Sequence, residues 1–384
     1  MSLFLFWFFV GPALIFAIAA LRGERKRLRF VAGCLSEEAA YAPVATVIVP
    51  VKGPEEGLRD NLAALASLDY PDYELIVAAR TAADIPSGVL PARIVVVLGG
   101  AHDAGASEKI QNLTAGIRSS RKRSEFFAFA DAGGRVSPKW LRALAAPLAD
   151  ETVGASTGYR WYVPDPPDFW SLMRSVWNAP IAGLFGPGDN PFVWRGSTAI
   201  RKETFFQLRI PECWRDAVSH DGELTRAIHM GHRTIAFAPG AVVATASRVG
   251  AREFFKGAQR QMAIARVYVP RLWGSALIAH FFYCGGMAAA IIASLRGHRG
   301  AEWALVAQLG LGMLKGINRA TLAVAELPGY EAWFKRHAWV HSLWVPLATW
   351  IWLPVLLSSM FSRTVDWSAS RYRSLRASRS STSV

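Results

Sequence analysis

Apolar residues fall into two textures along this chain. Toward the ends they form long uncharged runs, and between them short β-branched runs alternate with helical patterns. The stretch "LFLFWFFVGPALIFAIAAL" (3–21) carries no charge and is about as long as the ~20 residues needed to cross a ~30 Å hydrocarbon core. Pro12 within it is tolerable in a bilayer. From 44 onward the texture changes. "VATVIVPVKG" (44–53) reads as a strand ended by Pro and Gly, and Leu58, Leu62, Leu65 and Leu68 then share one helical face. "YELIVAA" (73–79), "ARIVVVLGG" (92–100) and "EFFAFAD" (125–131) read as three further strands, with a polar helix from about 107 to 120 before the last. Nearly continuous apolar strands separated by helices predict a mostly parallel sheet covered on both faces. Ligands of such sheets bind at the carboxyl ends of the strands, where Asp131 falls.

The region 151–250 is rich in Gly, Pro and Trp, which predicts long loops and short strands rather than more wound units. A basic helix is expected over 251–268, followed by apolar segments at 275–294 and 338–361 and a weaker one at 303–325. Lys315, Asn318 and Arg319 make that weaker segment costly in lipid, so it is expected to lie in the interface or re-enter.

Charge fixes an orientation. The N-terminal run is followed, not preceded, by bases ("RGERKRLR", 22–29), unlike a cleaved signal peptide, whose charges come first. The positive-inside rule then leaves an uncleaved anchor with later residues in the cytosol. Three crossings place the basic C-terminus inside as well, although "KRH" (335–337) then falls outside. The expected organisation is an anchor at 1–22, a cytosolic domain at 23–272, membrane and interfacial helices at 273–362, and a basic cytosolic tail at 363–384.

Composition agrees: 52% of the 384 residues are hydrophobic and mean hydropathy is +0.20, above an ordinary soluble domain. The net charge of +14 sits mainly beside apolar segments, as on an anionic leaflet, and no nucleic-acid-binding motif accompanies it. Three widely spaced cysteines give neither a disulfide framework nor a metal pair.

Three clusters could carry chemistry. Asp131, with Ala132 and Gly133 behind it, suits a site where Mg²⁺ or Mn²⁺ bridges one carboxylate and a diphosphate; it could equally be a solvated turn acid. Asp221 and Glu223 in "VSHDGELTRAI" (218–228) precede a helix start, as a general base or as a cap shared with Ser219. "QRQMAIARVY" (259–268) carries Arg260, Gln261 and Arg266; six residues apart, the arginines lie roughly 240° apart on a helix. That helix could grip phosphates or lie on the membrane surface.

The order of these clusters, and the stretches "VIVPVKG", "EKIQNL", "FADAGGRVSPKWL", "VGASTGYRW", "FVWRGSTAIRKETF", "SHDGELTRAIHMGHRTIAFAP", "RQMAIARVYVPRLW" and the C-terminal "SRTVDW…RYR", resemble the family-2 inverting glycosyltransferases, in particular ceramide glucosyltransferases and their bacterial relatives. The resemblance implies an α/β, GT-A-like, Rossmann-type nucleotide-sugar domain carried by N-terminal and C-terminal membrane helices. It implies transfer of a hexose such as glucose from a UDP-sugar to a lipid hydroxyl such as that of ceramide, with Mg²⁺ or Mn²⁺, on the cytoplasmic face of a bilayer and without nucleic acid. Asp131 would be the metal acid and Asp221 the base. Pro50, Lys52, Asp84, Lys109, Asn112 and Gly133 would join Asp131 in the nucleotide-sugar site, and Arg260, Gln261 and Arg266 would serve the diphosphate. Three features depart from the wider family. Gly133 stands where many members carry a second acid; ceramide glucosyltransferases have Asp-Ser-Gly there, so this departure favours that branch. Arg80 and Thr81 stand where a donor-site Asp is expected, leaving Asp84 nearby. Ile264 and Ala265 occupy the Arg and Trp places of QxxRW counted from Gln261. A processive polysaccharide synthase, which shares the catalytic half, and a non-catalytic membrane scaffold that keeps the fold are the competing readings.

Overall fold

A computed structural model describes residues 3–36, 40–92, 94–100, 106–194 and 196–362, with the backbone of 365–367 and 370–372. The N-terminal helix α1 runs without a break over Leu3–Ser36, taking the basic stretch at 22–29 into the same helix. No helix end therefore coincides with the organisational boundary expected at 22. Then β1 (Ala45–Pro50), α2 (Leu58–Ala66), β2 (Tyr73–Ala79), β3 (Val95–Leu98), α3 (Glu108–Arg118) and β4 (Phe126–Ala130) follow the predicted alternation.

The middle region is more ordered than its Gly, Pro and Trp content predicts. It holds α4 (Trp140–Ala145), β5 (Val153–Thr157), β6 (Arg160–Tyr162), α5 (Phe169–Ala182), β7 (Ser197–Arg201), α6 (Lys202–Gln207), α7 (Ile210–Trp214), α8 (His220–Met230), β8 (Thr234–Phe237) and β9 (Val243–Thr245). The expectation of loops fails most clearly at α5. Asp168 caps it by accepting from the Ser171 N–H at 3.0 Å, and Leu172, Met173, Val176 and Trp177 bury one face.

Seven strands form one mixed sheet in the order β3-β2-β1-β4-β7-β5-β8. The β3-β2-β1-β4 half is parallel, and β7 runs antiparallel to both β4 and β5. Ala130 pairs with Ser197, so the residue after β4 meets the residue before β7. A small parallel pair, β6 with β9, lies beyond that edge.

The chain continues through α9 (Ala251–Tyr268), α10 (Pro270–Leu295), α11 (Ala301–Glu326), α12 (Glu331–Leu343) and α13 (Val345–Phe361) to an antiparallel pair, β10 (Val365–Trp367) and β11 (Ser370–Tyr372). By length and composition α1 and α10 can cross a membrane, and α12 with α13, bent by 63° at their junction, can be counted as one further broken or re-entrant span. In α11 two charges have partners on α1: Arg319 Nε meets Glu24 at 2.8 Å, and Glu326 meets Arg27 at 2.7 Å. Both pairs are buried, which offsets the cost that Arg319 would otherwise carry in apolar surroundings. One apolar core runs from the domain into the helices. In it Trp177 of α5 stacks on Trp352 of α13 with ring centroids 4.2 Å apart.

Candidate active site

Asp131 leaves a wholly buried strand and enters a turn fixed by two buried side chains. Asn61 Nδ2 donates to the Ala132 carbonyl at 2.8 Å, and Thr245 Oγ1 donates to the Gly133 carbonyl at 3.0 Å. Gly196 lies against the Asp131 carboxylate with φ +85°, and a Cβ there would stand 2.7 Å from Asp131 Cγ. Only glycine satisfies both the backbone and the space at this point. The carboxylate is flanked by Lys109 Nζ and by Arg160 Nη2, the latter at 2.5 Å. Burial works against the Arg160 guanidinium, but Asp131, Tyr162 and Glu55 together outweigh it and hold its pKa above the ordinary value. Sequence reasoning missed Arg160. It stands between two aromatics in "GYRWY", where only its isolation in an apolar run hinted at a buried partner.

The other expected donor-site residues gather at the same sheet edge. Pro50 ends β1, Lys52 Nζ reaches Glu108 at 2.6 Å, and Asn112 Nδ2 donates to the Val51 carbonyl at 3.4 Å. Asp84 lies close by, its carbonyl accepting from the Gly53 N–H at 2.7 Å. Its carboxylate accepts from the Thr81 hydroxyl at 2.7 Å and the Thr81 N–H at 2.9 Å, and the hydroxyl bond leads in lowering its pKa. Among the described residues no group of three or more His, Cys, Asp or Glu side chains is close enough to hold a metal. The Asp131 site fits Mg²⁺ or Mn²⁺ in a different sense. Such an ion commonly takes one or two carboxylates and draws its remaining ligands from phosphate and water.

Asp221 sits in the first turn of α8. Its carboxylate accepts from the Ser219 hydroxyl and from the Gly222 N–H at 3.2 Å, with His220 Nδ1 at 4.0 Å. Ser219 also caps the helix, accepting from the Gly222 N–H at 3.3 Å, so capping and a held carboxylate coexist. The Tyr268 ring covers Gly222, where a Cβ would come within 2.7 Å of it. Tyr268 donates to buried Glu223 at 3.1 Å, which also takes Arg226 at 2.7 Å. The Tyr268 phenol is pushed well up, first by burial and then by the Glu223 charge.

The two acids are connected through one stretch of chain before β7. Thr225 of α8 receives the Val193 N–H at 3.1 Å, and three residues later Gly196 lies against Asp131. The basic helix divides as its spacing predicts. Arg260 and Gln261 line a cavity with Asp221, whereas Arg266 Nη2 donates to the Ser362 carbonyl at 2.7 Å and Nη1 to that of Met360. Arg266 thus ties α9 to the end of α13 and is not brought to either acid. The cavity, of about 440 Å³, lies between the sheet domain and the apolar helices. Its walls include Ala13 and Ala17 of α1, Ile181 of α5, Ala276 and Ala279 of α10, and Trp352 of α13.

Solved structures with distant similarity include sugar-transferring enzymes. A mannosyltransferase from Pyrobaculum calidifontis, in complex with GDP-mannose and Mn²⁺, is 20% identical over 91% of this chain and 97% of its own, with a TM-score of 0.45. A glucosyl-3-phosphoglycerate synthase from Mycobacterium tuberculosis, with Mn²⁺, UDP-glucose and phosphoglyceric acid, is 16% identical over 58% of this chain and 79% of its own, with a TM-score of 0.40. The family model described as glycosyl transferase family 21 matches residues 5–177, a stretch that holds α1, the parallel half of the sheet, Lys109, Asp131 and Arg160. That match supports a glycosyltransferase.

Proposed function

We propose that this protein is a membrane-bound inverting glycosyltransferase that moves a hexose such as glucose from a UDP-sugar to the hydroxyl of a membrane lipid such as ceramide. The observation that carries the acceptor is the cavity: it joins Asp221 and Arg260 to walls contributed by α1, α10 and α13. Its volume suits a lipid headgroup and the first part of a chain. An amphiphile entering between the helices would meet Asp221, Arg260 and Gln261 on one side and His280, Lys315 and Arg319 of α10 and α11 on another, within walls that are otherwise largely apolar.

The chemistry follows from the two acids. At Asp131, bound Mg²⁺ or Mn²⁺ would supply charge to the departing diphosphate. Lys109 and Arg160 bring two further cations to the same place. Asp221 takes the proton of the lipid hydroxyl as its oxygen bonds to the anomeric carbon. The anomeric carbon–phosphate oxygen bond breaks on the opposite face, and its electron pair leaves with UDP. Ser219 and the Gly222 N–H both donate to one Asp221 oxygen and so fix the orientation of the carboxylate.

The packing supports an orientation in which α1, α10 and α11 cross. Phe6, Val10, Ala289, Ala290, Ala293 and Ala301 cluster at the end of the helices away from the sheet. Val31, Leu322, Ala323 and Leu327 join the core of the domain at the other end. At 26 residues α11 is about 39 Å long, enough to connect them. The α12–α13 pair has both ends on the domain: Trp333 Nε1 donates to the Pro164 carbonyl at 3.0 Å, and Ser362 accepts from Arg266. It therefore reads as a re-entrant hairpin, unlike the crossing expected for 338–361. The "KRH" run then lies on the domain side, and the conflict with the positive-inside rule disappears.

The acceptor assignment is tested by filling the cavity. Ala279→Trp should depress transfer of labelled sugar into lipid by tenfold or more while UDP binding persists. Undiminished transfer would remove the cavity from the acceptor path.

A further inference from the structure

Gly133 leaves the Asp131 turn without a second acid, yet a carboxylate occupies the space. A Cβ built on Gly133 would stand 2.1 Å from Glu55 Oε1 and 2.9 Å from Glu55 Cδ. Glu55 comes from the loop between β1 and α2, so its side chain crosses to the Asp131 turn from another part of the sheet edge. The absence of a side chain at 133 is what admits it.

The surrounding charges point the same way. Glu55 and Asp131 both act on the Arg160 guanidinium, which is buried and whose Nε has no hydrogen-bond partner. With Lys109, the group contains two carboxylates and two cations and is neutral as a unit. A diphosphate arriving with a divalent ion would let the charges change partners without excess. The two cations would turn to phosphate oxygens, and the two carboxylates would face the metal. The orphaned Arg160 Nε is a donor suited to that incoming anion.

We propose that Glu55 supplies the second carboxylate of the divalent-metal and nucleotide-diphosphate site, taking over in space the position that Gly133 leaves empty in sequence. This rests on the donor-site reading above. It predicts a metal site built from two segments, the β1–α2 loop and the turn after β4, so that metal binding draws the two together.

The test measures Mn²⁺ binding to the full chain in detergent or nanodiscs, by electron paramagnetic resonance and calorimetry, with UDP present. Glu55→Gln should weaken Mn²⁺ binding by about tenfold or more, the scale set by loss of groups that only support metal ligands. Glu56→Gln is the control; its carboxylate accepts from the Arg248 N–H at 3.3 Å and should leave binding unchanged. In a Gly133→Asp background the new acid displaces the flexible Glu55 end, and Glu55→Gln should cost nothing further. Wild-type affinity in Glu55→Gln, alongside loss in Asp131→Asn, overturns the proposal and leaves the donor site standing. No Mn²⁺ or UDP binding by the wild type would overturn the donor-site reading itself.

Discussion

Replacing Arg27 by Met should destabilise the protein far more than replacing Arg27 and Glu326 together. The two side chains are 2% and 0% exposed and meet at 2.7 Å. One contact is made, while Arg27 Nε, Arg27 Nη1 and Glu326 Oε2 lack hydrogen-bond partners. The pair is therefore incompletely satisfied, the condition in which desolvation consumes most of the attraction. Removing the cation alone strands a buried carboxylate, a loss of about 3–5 kcal/mol. It also removes the guanidinium 5.2 Å above the Phe237 ring, a contact on the order of 1 kcal/mol. The Arg27→Met/Glu326→Met double variant removes both charges and should return most of that loss, since apolar replacement of such pairs is often neutral or stabilising. Thermal unfolding of the full chain in nanodiscs, followed by tryptophan fluorescence, compares the three proteins. A double variant as unstable as the single one, or a single variant as stable as wild type, would refute the reasoning.

Gly196→Ala should weaken Mn²⁺–UDP binding, because a left-handed backbone costs about 1–2 kcal/mol for alanine and its Cβ would press on Asp131; calorimetry with UDP checks it. Tyr268→Phe should cost about 1–2 kcal/mol by leaving Glu223 short of one donor, read as a lower unfolding midpoint. Asp168→Ala should cost about 0.5–2 kcal/mol through loss of the α5 cap. Burial pushes the Asp168 carboxyl up, but the Ser171 hydrogen bonds and Arg248 outweigh it, so its pKa is lowered. The cap's contribution is then whole above the ordinary Asp range and is lost as pH falls through the lowered value, which acid unfolding of wild type and variant would display. In a background lacking Cys34, Cys213 and Cys284, a cysteine at exposed His298 should react with an impermeant thiol reagent only on the face opposite a cysteine at Lys335.

The parallel half of the sheet was legible because β1, β2 and β4 are buried on both faces and their apolar runs end at Pro50, at Arg80 and at Asp131. The basic helix and its divided arginines were legible from spacing alone. Helix α5 was hidden by the prolines before it and by tryptophans whose role is packing, although Asp168 and the 172–177 pattern carried its signature. The pairing of Arg319 was not legible for another reason: its partner Glu24 is 295 positions away on α1, so nothing in the neighbouring sequence announces it. Likewise the Asp131 turn shows only one acid in sequence, because Arg160 and Glu55 reach it from other elements.

The most direct measurement is sugar transfer by membranes that carry the protein, given Mn²⁺, a lipid extract with ceramide, and a panel of labelled UDP-sugars. The account predicts label in the organic phase from at least one sugar, and its loss in Asp221→Asn with UDP binding retained. Label confined to aqueous polymer, or lipid labelling that persists in Asp221→Asn, would contradict it.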